Sequence, residues 1–224
     1  MRFIRYSSIC ICILAIFITN GCSTYHTTAY LKSHSLDAFM IDRPQAAVLL
    51  HQYPAFEDWL RTEWDQPIEG NHFCWSNEQP FNSPVSEVDG TARGHLIMVH
   101  VSEKLRPVDQ LVALSFELCN AQGHAGMGAI SEQAVAGKIT REDFVNEINR
   151  REYAASQRVK KILEKLLPLS TKQAATTSLY KILMETPNEF QESQAWEMRI
   201  DSQNYIHRQE LYGKQFDELV KKGN

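Results

Sequence analysis

The chain has 224 residues, of which 43% are hydrophobic and 22% charged, and its formal net charge is −4. That length and apolar content suffice for one main buried core with a small helical appendage. The acidic balance offers no basic patch for nucleic acid, so nucleic acid is not an expected partner.

Arg2 and Arg5 precede an unbroken apolar run from Ile9 to Ile18, followed by Thr19, Asn20, Gly21 and Cys22. A basic start before a run too short to span a bilayer of roughly 30 Å reads as an export signal over residues 1–21. Gly21 directly before Cys22 resembles the lipobox of bacterial lipoproteins, although Thr19 stands where leucine is usual. The resemblance implies that Cys22 is lipidated and becomes the mature N-terminus. With Ser23 after it, the resemblance also implies delivery to the outer membrane, facing the periplasm. The membrane, reached through lipidated Cys22, is then an expected partner. The alternative is a plain signal peptide or anchor that contains Cys22.

Residues 22–41 hold Ser, Thr and His without a firm period and read as a tether, leaving one mainly helical domain over residues 42–224. Between Asp42 and Asp65 two short helices are predicted. Asp42 caps a start near Pro44, and the segment from Pro54 puts Phe56, Trp59 and Leu60 on one face. From Ile68 to Gly94, Asn, Ser, Pro and Gly interspersed with Phe73, Trp75 and Phe81 predict an ordered loop with short strands. His95 to Val101 reads HLIMVHV, a strand buried on both faces whose His95 and His100 point to opposite sides.

After Pro107 the period becomes helical to about Ala121, where Gly123, Gly126 and Gly128 break it. Leu111, Leu114, Leu118 and Ala121 form one apolar stripe, and Val108, Val112, Ser115 and Cys119 another. Ala113, Glu117, Asn120 and His124 fall on the least apolar side, which faces either a cleft or water. Thr140-Arg-Glu-Asp143 then reads as a capping sequence that opens a long helix to about Leu167, stopped at Pro168. Its core face is Phe144, Ile148, Ala155, Val159, Leu163 and Leu166, and Glu152 falls on that face. A carboxylate there must pair with an arginine, such as Arg141 or one more distant, or border a polar cavity.

Residues 171–221 read as two or three further helices, broken at Pro187. Trp196, Met198, Tyr205, Tyr212 and Phe216 give them apolar surface, either for the core or for another envelope protein. The predicted class is α+β, mostly α, with a small sheet packed on the Pro107 helix, then a long helix and C-terminal helices.

Cys10 and Cys12 leave with the signal, so Cys74 and Cys119 remain beside lipidated Cys22. Three readings stand open for them. A disulfide would close a loop of about 45 residues and stabilise the fold by very roughly 4 kcal/mol on the chain-entropy model. The alternatives are two buried thiols, or a metal site that Cys74 forms with His72.

Leu114 to Gly126, LSFELCNAQGHAG, raises the question of chemistry. Zinc peptidases of the zincin type carry His-Glu-x-x-His on a helix, because a spacing of four puts two imidazoles on one face with the Glu beside the metal-bound water. Here the register gives Phe116, Glu117, Leu118, Cys119 and Asn120. The strand, connector and helix resemble a zincin core over about residues 95–155, within a core unit of about 95–167. The Leu and the terminal Ala of the motif match, Gly123 fits the longer metzincin pattern, and Gly126 stands where its third His belongs, with His124 two places early. Glu152 in Arg-Arg-Glu-Tyr-Ala-Ala resembles the downstream glutamate ligand of some zincins.

Glu117 is thus the one retained candidate for a catalytic group, and neither Phe116 nor Asn120 replaces a histidine as a zinc ligand. The resemblance implies an inactive, zincin-like envelope lipoprotein with no cofactor and no catalytic metal. Glu117, Asn120, His124 and Glu152 would line a cleft that binds a cation through oxygen, or a peptide's amino group. Two rival readings are a hydrolase with Cys119 as nucleophile and His124 or a strand histidine as base, and a helical adaptor for another envelope protein.

Overall fold

The computed structural model describes residues 35–76, 83–88, 95–123, 125–170 and 177–223. The export signal, Cys22, most of the tether and His124 lie outside the described residues.

Three short helices come first: α1 (Leu36–Asp42), α2 (Pro44–Leu50) and α3 (Pro54–Asp65). Pro44 and Pro54 open their helices, where a missing N–H leaves no bond unmade. α1 corrects two expectations. The tether ends earlier than residue 41, because Leu36 and Phe39 are buried and Phe39 meets Trp75 edge-on at 5.0 Å. Asp42 closes α1 instead of capping α2, and its Oδ2 accepts a 2.7 Å bond from Trp75 Nε1.

The sheet is made of β1 (His72–Trp75), β2 (Ser83–Val88) and β3 (His95–His100) in the order β1-β3-β2. β1 runs parallel to β3 and β2 antiparallel to it, so β3 is central among the described strands. Leu96 to His100 are all buried, as the unbroken apolar run requires. Alternation along the strands separates two faces. Phe73, Trp75, Ile97 and Val99 join the main core, while Cys74, Leu96 and Met98 form a small cluster of their own.

That alternation decides the cysteine question. Cys119 lies in the main core, Cys74 points to the other face of the sheet, and both are buried thiols with no bridge between them. The His72 and Cys74 metal reading also fails on placement, since His72 is exposed and Cys74 fully buried.

α4 (Pro107–Gly123) is the central helix. From Val108 to Ala121 every residue except Phe116 is buried, which is the condition of a helix enclosed on all sides. Its Glu117 and Asn120 therefore meet neighbouring helices, not an open cleft or water. Beyond it, α5 (Met127–Val135) is a helix that the glycine spacing concealed. Gly126 caps its start at φ +81°, a left-handed conformation that side-chain-bearing residues seldom adopt, and Gly128 sits inside the helix. The Gly126 amide donates to Glu69 Oε1 at 2.8 Å.

α6 (Arg141–Leu166) starts as predicted, with Thr140 Oγ1 accepting from the Asp143 amide at 3.1 Å. α7 (Ser178–Glu185), α8 (Phe190–Ile200) and α9 (Ser202–Gly223) follow, with Pro187 in the gap between α7 and α8. The fold is α+β, mostly α.

Two apolar cores share α6. Its Ala155, Val159 and Leu163 join the larger one with α1 to α4, the sheet and α7. Its Phe144, Val145 and Ile148 join the smaller one with Met127 and Ile130 of α5 and Tyr212 of α9, against which Phe216 packs. The turn of α6 between those two sets carries Asn149 and Glu152.

Candidate functional site

Glu117 and Asn120 are three residues apart on α4, and Asn149 and Glu152 three apart on α6, so each pair shares a helix face. All four side chains are buried. α9 supplies Arg208, Gln209 and Tyr212 on adjoining turns. Asn149 and Gln209 exchange two amide bonds, at 3.0 and 3.2 Å. The Tyr212 hydroxyl donates to Glu152 Oε1. Glu152 Oε2 stands 3.8 Å from Arg208 Nε, and Arg208 Nη2 donates to Glu197 Oε2. The cation near Glu152 is therefore a distant arginine, as the core-face argument allowed. Arg141 instead pairs with Asp217 at 3.4 Å on the surface.

Glu117 differs from every other buried acid in the described chain. It is 1% exposed, and neither carboxyl oxygen has a hydrogen-bond partner. Asn120, fully buried, likewise lacks a partner at both amide atoms. Burial pushes the Glu117 pKa well above the usual carboxylate range, and the nearby Glu152 pushes it further. Burial also raises Glu152, to about 7, against the opposing pull of Arg208 and Tyr212. For Arg208, burial opposes the charge, yet Glu152 and Glu197 together raise its pKa, so it stays cationic.

The other buried acids are satisfied. Glu63 of α3 accepts from Trp59 Nε1 at 3.0 Å, Gln122 Nε2 at 2.5 Å and Arg158 Nη2 at 2.6 Å. Asp109 of α4 accepts from the Leu179 amide at 2.9 Å and the Ser178 amide at 3.3 Å, so it caps α7 from another helix. Sequence reasoning missed both. Glu63 follows Leu60 by three residues and so falls on the apolar stripe of α3, which is the same signal that exposed Glu152.

Cys119 is corrected as a nucleophile. Burial first, and Glu63 to a smaller degree, push its thiol up to about 12 against the opposing Arg158. At neutral pH it stays protonated, whereas attack requires the thiolate. Among the described residues no three His, Cys, Asp or Glu side chains are grouped to hold a metal. What the junction can do is keep a proton on a buried acid, since burial and the neighbouring Glu152 both favour the protonated form of Glu117.

The fold and this junction define an α+β protein with a buried carboxylate pair at the meeting of three helices. No family model, no curated protein and no solved structure matches the chain.

Proposed function

We propose that this chain is a lipid-anchored protein of the bacterial cell envelope, held at the outer membrane through Cys22, whose zincin-like strand and helix serve in binding and not in peptidase chemistry. The observation that most supports the non-peptidase reading is the setting of Glu117. A zincin base must reach a water that two histidines hold on zinc. Glu117 is flanked by Phe116 and Asn120 in those places, and its carboxyl is buried away from any substrate-accessible surface. A peptide therefore has no route to it in this conformation.

Two measurements test the proposal on the full chain. Metabolic labelling with palmitate is expected to mark the wild type and not Cys22→Ala, with loss of the variant from the membrane fraction. Peptide hydrolysis with added zinc is expected to be absent in the wild type and in Glu117→Gln alike. Zinc-dependent hydrolysis that falls in Glu117→Gln would sink the non-peptidase reading.

A second reading, an adaptor for another envelope protein, is favoured by one observation. Met198, Ile200 and Ile206 of α8 and α9 are 51%, 52% and 54% exposed, more apolar surface than those helices need for packing.

A further inference from the structure

We infer that Ile41 and Val48, on the outer faces of α1 and α2, dock in the interfacial layer of the phospholipid bilayer that holds the chain's anchor. The inference rests on the reading of Cys22 as lipidated and deepens it, because it states which face of the domain the membrane meets.

Exposure is the first argument. Ile41 is 79% exposed and Val48 63%, the highest values of any large apolar side chain among the described residues. A lone exposed aliphatic group is ordinary on a folded protein. Here two stand on consecutive helices, and each adjoins a half-buried apolar neighbour, Met40 or Leu49, that packs against the main core. α1 turns Leu36 and Phe39 into that core and α2 turns Ala46 and Leu50 into it, so the sides that carry Ile41 and Val48 both face away from it.

Position is the second argument, and it names the occupant. Ser35, the first described residue, stands thirteen residues past Cys22, and α1 begins directly after it. That length of chain reaches at most about 45 Å drawn out straight and about 20 Å as a relaxed coil. The second figure equals the radius of a folded domain of this length, also about 20 Å. α1 and α2, where the chain enters the fold, are thus the part of the domain held against the bilayer. At so short a tether the effective concentration of lipid is high, and a weak apolar contact suffices.

Charge is the third, and it selects the lipid. Asp37 pairs with Arg61 at 2.9 Å, Asp42 accepts from Trp75 Nε1 at 2.7 Å, and the Arg43 guanidinium lies over the Trp75 ring at 5.3 Å. These are the charged residues from Ser35 to Leu50, and all of them are engaged within the fold. No basic cluster is left there to seek anionic headgroups. What the two outer faces offer is apolar contact, which suits a zwitterionic surface.

The test uses the full chain, exported and processed by its host, then reconstituted into vesicles of phosphatidylcholine and phosphatidylethanolamine. A nitroxide is attached at Ile41→Cys, at Val48→Cys or, for comparison, at Glu132→Cys, which is exposed and polar in the wild type. The native thiols Cys74 and Cys119 are buried and do not compete for the label. Electron spin resonance then reads collisions with oxygen, which concentrates in lipid, and with a nickel chelate, which stays in water. Labels at 41 and 48 are expected to meet the nickel chelate at least about fivefold less often than the label at 132, and oxygen more often, as for side chains seated at the headgroup boundary. Adding phosphatidylglycerol should leave this unchanged.

Because a nitroxide is itself apolar, a second label goes on Gln45→Cys, an exposed site three residues before Val48 on the same face of α2. Its protection should be present with Ile41 and Val48 intact and lost in Ile41→Ser with Val48→Ser. Those two positions are exposed, so the double variant should keep its fold, which circular dichroism checks. Labels at 41 and 48 as open to nickel as that at 132 would place the face in water and overturn the inference. Exclusion of both reagents would mean that polypeptide covers the face, whether residues 23–34 or a second copy, and overturns it equally. Mass spectrometry of the same samples reads the lipid on Cys22. A chain without it overturns the anchor and the docking together, whereas a lipidated chain with its labels in water overturns the docking alone.

Discussion

Glu63 and Glu117 are both nearly inaccessible, at 6% and 1% exposure, the first packed against α4 and the second carried by it, yet the protein treats them in opposite ways. Glu63 is met by an indole, an amide and a guanidinium. Glu117 is met by no donor at all and has another acid as its electrostatic neighbour. Burying a charge is tolerated where its partners are built in, and costs stability where they are not. The first arrangement is scaffold. The second is a place where this fold gives up stability, which is the mark of a site with another use.

The largest effect expected from breaking this contrast is a gain. Glu117→Gln keeps the shape of the side chain and removes its titration. The folded-state pKa of Glu117 is raised above 4.5, so the stability tied to its proton is full below that value and drains as pH rises toward the folded-state pKa. The variant should therefore match the wild type near pH 4. Above that it should pull ahead by up to about 1.4 kcal/mol per pH unit until the folded-state pKa is passed. Urea unfolding across pH 4 to about 9 reads this directly; a variant less stable than the wild type throughout would refute it.

Next comes the opposite sign at the other acid. Arg158→Met leaves Glu63 without its cation and should cost roughly 3 kcal/mol, the low end for a buried pair because the Arg158 side chain is 44% exposed. Chemical denaturation at pH 7 checks it. Tyr212→Phe removes one donor from Glu152 while keeping the ring in the smaller core, and about 1.5 kcal/mol should be lost. It should also raise the apparent pKa of Glu152 above about 7, measurable by carboxyl NMR titration. The smallest effect belongs to Trp59→Phe, which takes one of three donors from Glu63 and should cost about 0.5 kcal/mol in the same denaturation experiment.

Some of this was legible in the residues alone. The period and cap of α6 foretold both its extent and the placing of Glu152 on its core face, because Thr140 and a stripe from Phe144 to Leu163 act locally. The sharing of a face by Glu117 and Asn120 was equally plain. What that face meets was not, since periodicity groups side chains but does not say which neighbour covers them. Gly126 and Gly128 read as a break, and in fact Gly126 starts a helix. Arg208 and Tyr212 reach Glu152 from a helix far along the chain, a meeting that only tertiary packing creates. The carboxylate at Glu63 carries the same local signal, three residues after Leu60 on the apolar stripe of α3.

The sharing of one 26-residue helix by two apolar cores has a consequence for how the molecule opens. A seam of amides and acids crosses α6 between them, at Asn149 and Glu152. Water entering there can hydrate groups that dry burial leaves strained, so separation of the α5 and α9 side is the least costly partial opening available. Amide hydrogen exchange should then show α9 and α5 exchanging together as one unit, ahead of α4. The half of α6 beyond Ala155 should stay protected until the whole chain unfolds.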